Sequence, residues 1–210
     1  ELTRNYELFG TTRYMFSDDT YNDTTTKLQQ INSVVQDLPF KVKFGVYARL
    51  DLMVAHKEHA ELMLENGIGA ALFGIESLNH ESARSIGKGM HPDKLVKELY
   101  RLRDDVWKTE VFTHSSFIVG LPYDTYDTIG EWLTRISDPS FPLDSFNLAP
   151  LSIDTSRLRI YTSEFEQDPK KYGYDVTERG WTNASTGTSL QGCNELVDRV
   201  QRMTVLNGRQ

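Results

Sequence analysis

Val111-Phe-Thr-His-Ser-Ser-Phe-Ile-Val-Gly-Leu-Pro122 begins with nine residues rich in β-branched and aromatic side chains and stops at Gly-Leu-Pro. Such a run reads as a buried strand over 111–119, closed by a turn. On its N-terminal side, Leu95, Val96, Leu99 and Leu102 form one helical stripe behind Pro92, a residue suited to a first helical turn. Further back stand a strand over 70–75 and a short helix capped by Asn79 that ends near Gly87. A helix is expected over 51–66, with Gly67 as its left-handed stop, after a strand over 42–48. A helix over 24–38, capped by Asp23 or Thr24 and closed by Pro39, follows a first strand over 13–17. On the C-terminal side, Asp124 opens a helix to about Ser137, and a fifth strand covers 144–148.

Strands alternating with helices of this length predict βαβ units, right-handed crossovers and a parallel sheet. The sheet can be open and doubly wound, or it can belong to a barrel. Polar residues favour the barrel. Asp18-Asp19, Arg49, Glu76-Ser77, Gly120-Leu-Pro122 and Asn147 to Pro150 each stand at or just past a strand's C-terminal end. Parallel barrels gather their binding groups at that rim, whereas an open sheet concentrates its ligand at one crevice. Residues 1–152 are therefore expected to form the barrel part. Residues 153–210, with Tyr172-Gly-Tyr174, Trp181-Thr-Asn183 and a helix over about 190–206, read as a C-terminal extension.

Of 210 residues, 39% are hydrophobic and 25% charged, enough for a packed core and too ordered a balance for wholesale disorder. The net charge of −7 argues against non-specific binding to nucleic acid or anionic membrane. No apolar run is long enough to span a bilayer, and nothing at the start resembles a signal peptide. A single cysteine, Cys193, excludes an internal disulfide framework and fits a cytoplasmic setting. The chain opens on Glu1, which suggests a piece of a longer protein.

Four stretches together resemble the radical S-adenosylmethionine (SAM) superfamily, in particular its cobalamin-binding-domain-associated branch. They are Tyr14-Met-Phe-Ser-Asp-Asp-Thr-Tyr21, Phe73-Gly-Ile-Glu-Ser77 with Ile86-Gly-Lys-Gly89, Ser116-Phe-Ile-Val-Gly-Leu-Pro122, and Phe146-Asn-Leu-Ala-Pro150. Order and spacing carry the likeness, over about residues 12–152. The resemblance implies a partial, TIM-like (β/α) barrel of six units. A Cys-x3-Cys-x2-Cys loop after its first strand holds a 4Fe-4S cluster through soft thiolate ligands and leaves one iron for SAM. Reductive cleavage of SAM then releases a 5′-deoxyadenosyl radical, or supports methylation where cobalamin is present. The first strand here matches the family's second, so the first βα unit is missing, and Cys193 lies far from the expected place. The fragment is expected to be inactive by itself. The full-length enzyme would need an electron donor and a small-molecule or still unidentified substrate.

The resemblance places Asp18 and Asp19 near the SAM amino group, Arg49 near its carboxylate, and Glu76 near a ribose hydroxyl or the amino group. Ser116, Gly120, Leu121, Pro122 and Pro150 complete the expected SAM-binding set, with Gly120-Leu-Pro122 beside adenine. Plainer roles stand next to these. The aspartates can cap a helix, Arg49 and Glu76 can pair with each other, and Gly-Leu-Pro can be an ordinary turn. Lys88 reads as a solvated lysine, and Tyr123, Tyr126 and Trp132 as packing residues. His56 and His59, three apart on the expected helix, invite a metal reading that the lack of a third ligand disfavours. Asn22-Asp-Thr24 and Asn183-Ala-Ser185 have the form of glycosylation sequons, without meaning in a cytoplasmic chain. Two further readings stay open. One is a degenerate, cluster-free barrel that binds SAM or a nucleotide, or serves as an interaction module. The other is an unrelated barrel enzyme using Asp18, Asp19 and Glu76 as acid/base carboxylates.

Overall fold

The computed structural model describes residues 1–153 and 164–206. An N-terminal helix, α1 (Leu2–Phe9), ends at Gly10 in the left-handed conformation (φ 64°), and β1 (Arg13–Met15) follows. This strand stops two residues short of expectation. Beyond it Asp18 turns the chain, its Oδ1 accepting from the Thr20 N–H at 2.8 Å. Helix α2 (Thr25–Gln36) starts where Thr24 Oγ1 accepts from the Lys27 N–H, so of the two candidate caps Thr24 is the cap. Strand β2 (Lys43–Ala48) pairs parallel with β1, Arg13 opposite Lys43.

The helix expected over 51–66 is two helices, α3 (Leu50–Ala55) and α4 (Glu58–Glu65), broken at His56 (φ −127°, ψ 88°) and Lys57. Local periodicity cannot reveal such a break, because the apolar positions on both sides keep helical spacing. Strand β3 (Ile68–Glu76) pairs parallel with β2, with a register shift at Phe44/Gly45. The short α5 (His80–Ser85) is capped by Asn79 as expected.

Helix α6 (Pro92–Arg101) runs into a π-helical turn, Leu102–Val106. That turn delivers Trp107, which is fully buried and donates its indole N–H to the Ala60 carbonyl at 2.9 Å. Strand β4 (Phe112–Val119) buries Thr113, Ser115, Phe117 and Val119, leaving His114, Ser116 and Ile118 on its less buried face. Helix α7 (Tyr126–Ser137) is capped by Thr125, which exchanges hydrogen bonds with Thr128, so Asp124 precedes the cap instead of opening the helix. Strand β5 (Ser145–Pro150) ends the sheet, whose five strands follow one another in the order β1-β2-β3-β4-β5. An order without reversal is that of a barrel segment, since a doubly wound sheet turns back on itself.

Beyond it lie α8 (Glu164–Gln167), a 3-10 turn (Pro169–Tyr172), an antiparallel hairpin of β6 (Tyr174–Thr177) and β7 (Gly180–Asn183), and α9 (Leu190–Leu206). Two compact units divide the chain. One comprises Glu1–Gly74, Asp93–Ser115 and Pro142–Ser145, with Tyr21, Leu28, Val46, Met53, Met63 and Trp107 in its core. The other comprises Ile75–Pro92, Ser116–Phe141 and Phe146–Gln210, with Phe117, Leu121, Trp132, Tyr174 and Trp181 in its core. No helix among the described residues is long and apolar enough to cross a membrane.

Candidate functional site

In the first unit the loop after β1 runs beside the end of β2. Tyr21 N–H donates to the Tyr47 carbonyl at 2.8 Å. Asn22 prolongs this pairing with its side chain. Its Nδ2 donates to the Arg49 carbonyl at 2.9 Å and its Oδ1 accepts from the Arg49 N–H at 2.8 Å. The first sequon therefore begins on a fully buried asparagine, and Asn183 of the second is 2% exposed. Both are structural residues. Asn22 went unnoticed as such in the sequence, because nothing local marks a side chain that imitates a strand.

Asp18 is half-buried and takes the Lys27 ammonium at 2.7 Å. That bond, with the Thr20 N–H, holds its carboxyl below the usual carboxylate range. Asp19 beside it is exposed. Arg49 is exposed at the N-cap position of α3, where its side chain makes no capping hydrogen bond; its Nε and Nη2 donate to the two carboxylate oxygens of Asp51 at 3.1 and 2.7 Å. The guanidinium is thus held by its neighbour two residues on.

In the second unit Glu76 is half-buried on a backbone of φ 69°, and the Ser77 N–H donates to the Ile75 carbonyl across it at 2.9 Å. This is a γ-turn with positive φ, a costly conformation for a residue with a Cβ. Burial raises the Glu76 carboxyl above its ordinary range, and Lys88 partly offsets this. Positive φ recurs at Gly120 (88°), which glycine adopts without strain, and at Tyr123 (69°) in the turn beyond β4.

Gly120-Leu121-Pro122 is buried and already engaged. The Gly120 carbonyl accepts from the Tyr174 hydroxyl at 2.7 Å, and the Leu121 N–H donates to Asp124 at 3.2 Å. A Cβ at Gly120 would lie 2.5 Å from Trp181 and 2.8 Å from the Cys193 sulfur. The glycine is therefore demanded by packing and by φ, an origin different from close approach of a ligand. Asp124 holds this turn. Fully buried, it also accepts from the Ser82 hydroxyl at 2.7 Å and from Asn79 Nδ2 at 3.3 Å. Burial pushes its carboxyl up to about 6 against these donors. Past Pro150, the Leu151 N–H donates to the Val119 carbonyl and its carbonyl accepts from the Trp181 indole at 2.8 Å. Ser116 lies half-buried on β4. Trp132 packs as expected, stacked on Phe117 with ring centroids 5.5 Å apart, but Tyr123 and Tyr126 are exposed.

A 4Fe-4S cluster needs several thiolates. The only cysteine, Cys193, is fully buried in contact range of Gly120, and burial pushes its thiol up to about 12. The residues present do not fit a cluster.

No family model matches the sequence, and no curated protein matches it. Solved structures do. The radical SAM methyltransferase TsrM from Kitasatospora setae, with tryptophan substrate and a SAM analogue bound, superimposes with a TM-score of 0.57 at 15% identity over 71% of this chain and 29% of that one. Coproporphyrinogen III oxidase (HemN) from Escherichia coli, a radical SAM enzyme, gives 0.57 at 11% identity over 79% and 42%. The cobalamin-dependent radical SAM enzyme OxsB gives 0.54 at 18% identity over 81% and 25%. The chain thus spans less than half the length of each. What it shares with them is the architecture: this chain has the α/β fold of a partial, TIM-like barrel of the radical SAM type.

Proposed function

We propose that the chain is the barrel core of a radical SAM superfamily enzyme, binding SAM through strand-end residues in a protein whose cluster ligands lie outside these 210 residues. One observation carries this reading. The strand-end stretches Phe73-Gly-Ile-Glu-Ser77 and Ser116-Phe-Ile-Val-Gly-Leu-Pro122, which resemble the family's motifs, are also where the backbone is held at positive φ, at Glu76 and Gly120. Only at Glu76, which carries a Cβ, is that conformation strained; strain of this kind persists where the surroundings enforce it, and it gathers at ligand sites, whereas Gly120 takes its φ freely. The likeness of fold to enzymes of this superfamily supports the same reading.

Glu76 offers an acceptor for a hydroxyl or ammonium, and Arg49 a cation for a carboxylate once it shares or leaves Asp51. Asp18 and Asp19 offer acceptors at the end of β1, while Ser116 and Pro150 line strands β4 and β5. Gly120, Leu121 and Pro122 serve this proposal as a rigid backing, since the Gly120 carbonyl is spent on Tyr174 and the Leu121 N–H on Asp124. SAM, cleaved reductively at a cluster held elsewhere, would supply the radical. The residues of this chain bind and orient it and exclude water.

A groove of about 470 Å³ beside β1, lined by Tyr14, Met15, Phe16, Ile31, Val34 and Phe44 among others, supports a further βα unit in the parent protein. Reading the coding sequence upstream of Glu1 tests this directly. A Cys-x3-Cys-x2-Cys triad is expected there, and the anaerobically reconstituted parent should convert SAM to 5′-deoxyadenosine. A start codon without cysteines would overturn the radical chemistry in favour of a cluster-free binding module.

A further inference from the structure

The break between α3 and α4 assembles three donors that a continuous helix would scatter. In an unbroken helix Glu58 would point away from His56, two residues earlier, and only His59 would share its side. Here His56 leaves the helix, and one ligand atom each from His56, Glu58 and His59 lies within 4.8 Å of the others. His56 Nδ1 stands 3.9 Å from Glu58 Oε1, and the two imidazoles face each other at 5.0 Å between ring centroids.

His59 supplies a second, independent sign. It is fully buried, and its Nδ1 has no hydrogen-bond partner. A buried polar atom left unsatisfied is rare and costly, and a place for a bound ion is one of its recognised explanations. The other ring nitrogen, Nε2, is 2.9 Å from the Thr25 hydroxyl. An Nε2–H donated to that hydroxyl leaves the Nδ1 lone pair for a metal, which is how metal-binding histidines are usually oriented by their second partner.

We infer that His56, Glu58 and His59 form a binding site for a borderline divalent transition metal, zinc in the first place, oriented by Thr25 and separate from the residues assigned to SAM. Two imidazoles and one carboxylate form a donor set that zinc accepts, leaving a fourth position for water. Tetrahedral zinc holds its ligand atoms about 3.4 Å apart. The present spacing is wider, and His56 and Glu58, whose side chains are 53% and 56% exposed, have room to close it by rotamer change. His59 stays where α4 holds it.

The test is calorimetric titration of the untagged 210-residue chain with zinc chloride in a non-chelating buffer at neutral pH. One equivalent is expected to bind, with a dissociation constant in the micromolar range. Both His56→Ala and Glu58→Gln change exposed side chains and should leave the circular dichroism spectrum intact while weakening binding at least tenfold. Thr25→Val should weaken it too, by releasing the imidazole. Cobalt(II) in place of zinc should give the visible absorption of a four-coordinate site in the wild type and lose it in His56→Ala. Absence of binding, or zinc binding that His56→Ala and Glu58→Gln leave unchanged, overturns the assignment. Binding alone is read, so the outcome does not depend on the SAM proposal.

Discussion

Asp124 is the residue on which the Gly-Leu-Pro turn depends, and its ionisation makes stability depend on pH. Its folded value, about 6, lies above the ordinary 3.8, so the fold favours the neutral carboxyl. That contribution is complete below about pH 3.8 and is lost as the pH rises through about 6, on the order of 3 kcal/mol in all. The urea midpoint should therefore fall between pH 4 and pH 7, and Asp124→Asn should flatten the fall. An equally steep profile in the variant would remove Asp124 as its cause. Gly120→Ala combines positive φ with the collision against Trp181 and Cys193 and should cost about 2 kcal/mol or more, read as a lowered denaturation midpoint. Wild-type stability in that variant would contradict the packing described here. None of these partners was legible in the sequence. Gly120 was marked by its motif, yet Tyr174, Trp181 and Cys193, which demand the glycine, lie more than fifty residues downstream.

Helices α4 and α6 are joined through one buried carboxylate. Glu98, 2% exposed, accepts from Arg101 Nη2 at 2.8 Å and Nε at 3.0 Å, and it also pairs with Lys57. Arg101 reaches across to Glu61 at 3.1 Å and to the Lys57 carbonyl. Removing one partner of a buried pair strands the other, so Glu98→Ala should destabilise by about 3 kcal/mol. The double change Glu98→Leu with Arg101→Leu should recover most of that loss, because it leaves no charge buried alone. A thermal-denaturation series reads both, and a double variant no better than the single one would argue against the pair as the link. At this scale the sequence was informative wherever the signal was local. Thr24 and Asn79 cap the helices they were expected to cap, and Pro92 opens α6. It failed where a tertiary demand overrode periodicity, as in the break at His56 and the π-helical turn that delivers Trp107.

For the whole molecule the decisive prediction concerns SAM. In the full-length protein, Arg49→Ala and Glu76→Ala should each lower 5′-deoxyadenosine formation at least tenfold without lowering the melting temperature. Arg49 is exposed and Glu76 half-buried, so neither change opens a large cavity. Unchanged turnover in both would remove these residues from the site. The alternation of apolar runs and amphipathic stretches was enough by itself to determine a parallel α/β sheet, and the polar strand ends were enough to favour a barrel over an open sheet. Both are periodic or positional signals that each segment carries alone. Tertiary structure alone decided that Asp18 meets Lys27 and Arg49 meets Asp51, and that Asn22 lengthens a strand edge. It alone brought Glu58 beside two histidines and set Tyr174, Trp181 and Cys193 against Gly120. Pairings of this kind depend on where the backbone breaks and on which distant side chain fills a given space, and neither is written in the period of any single segment.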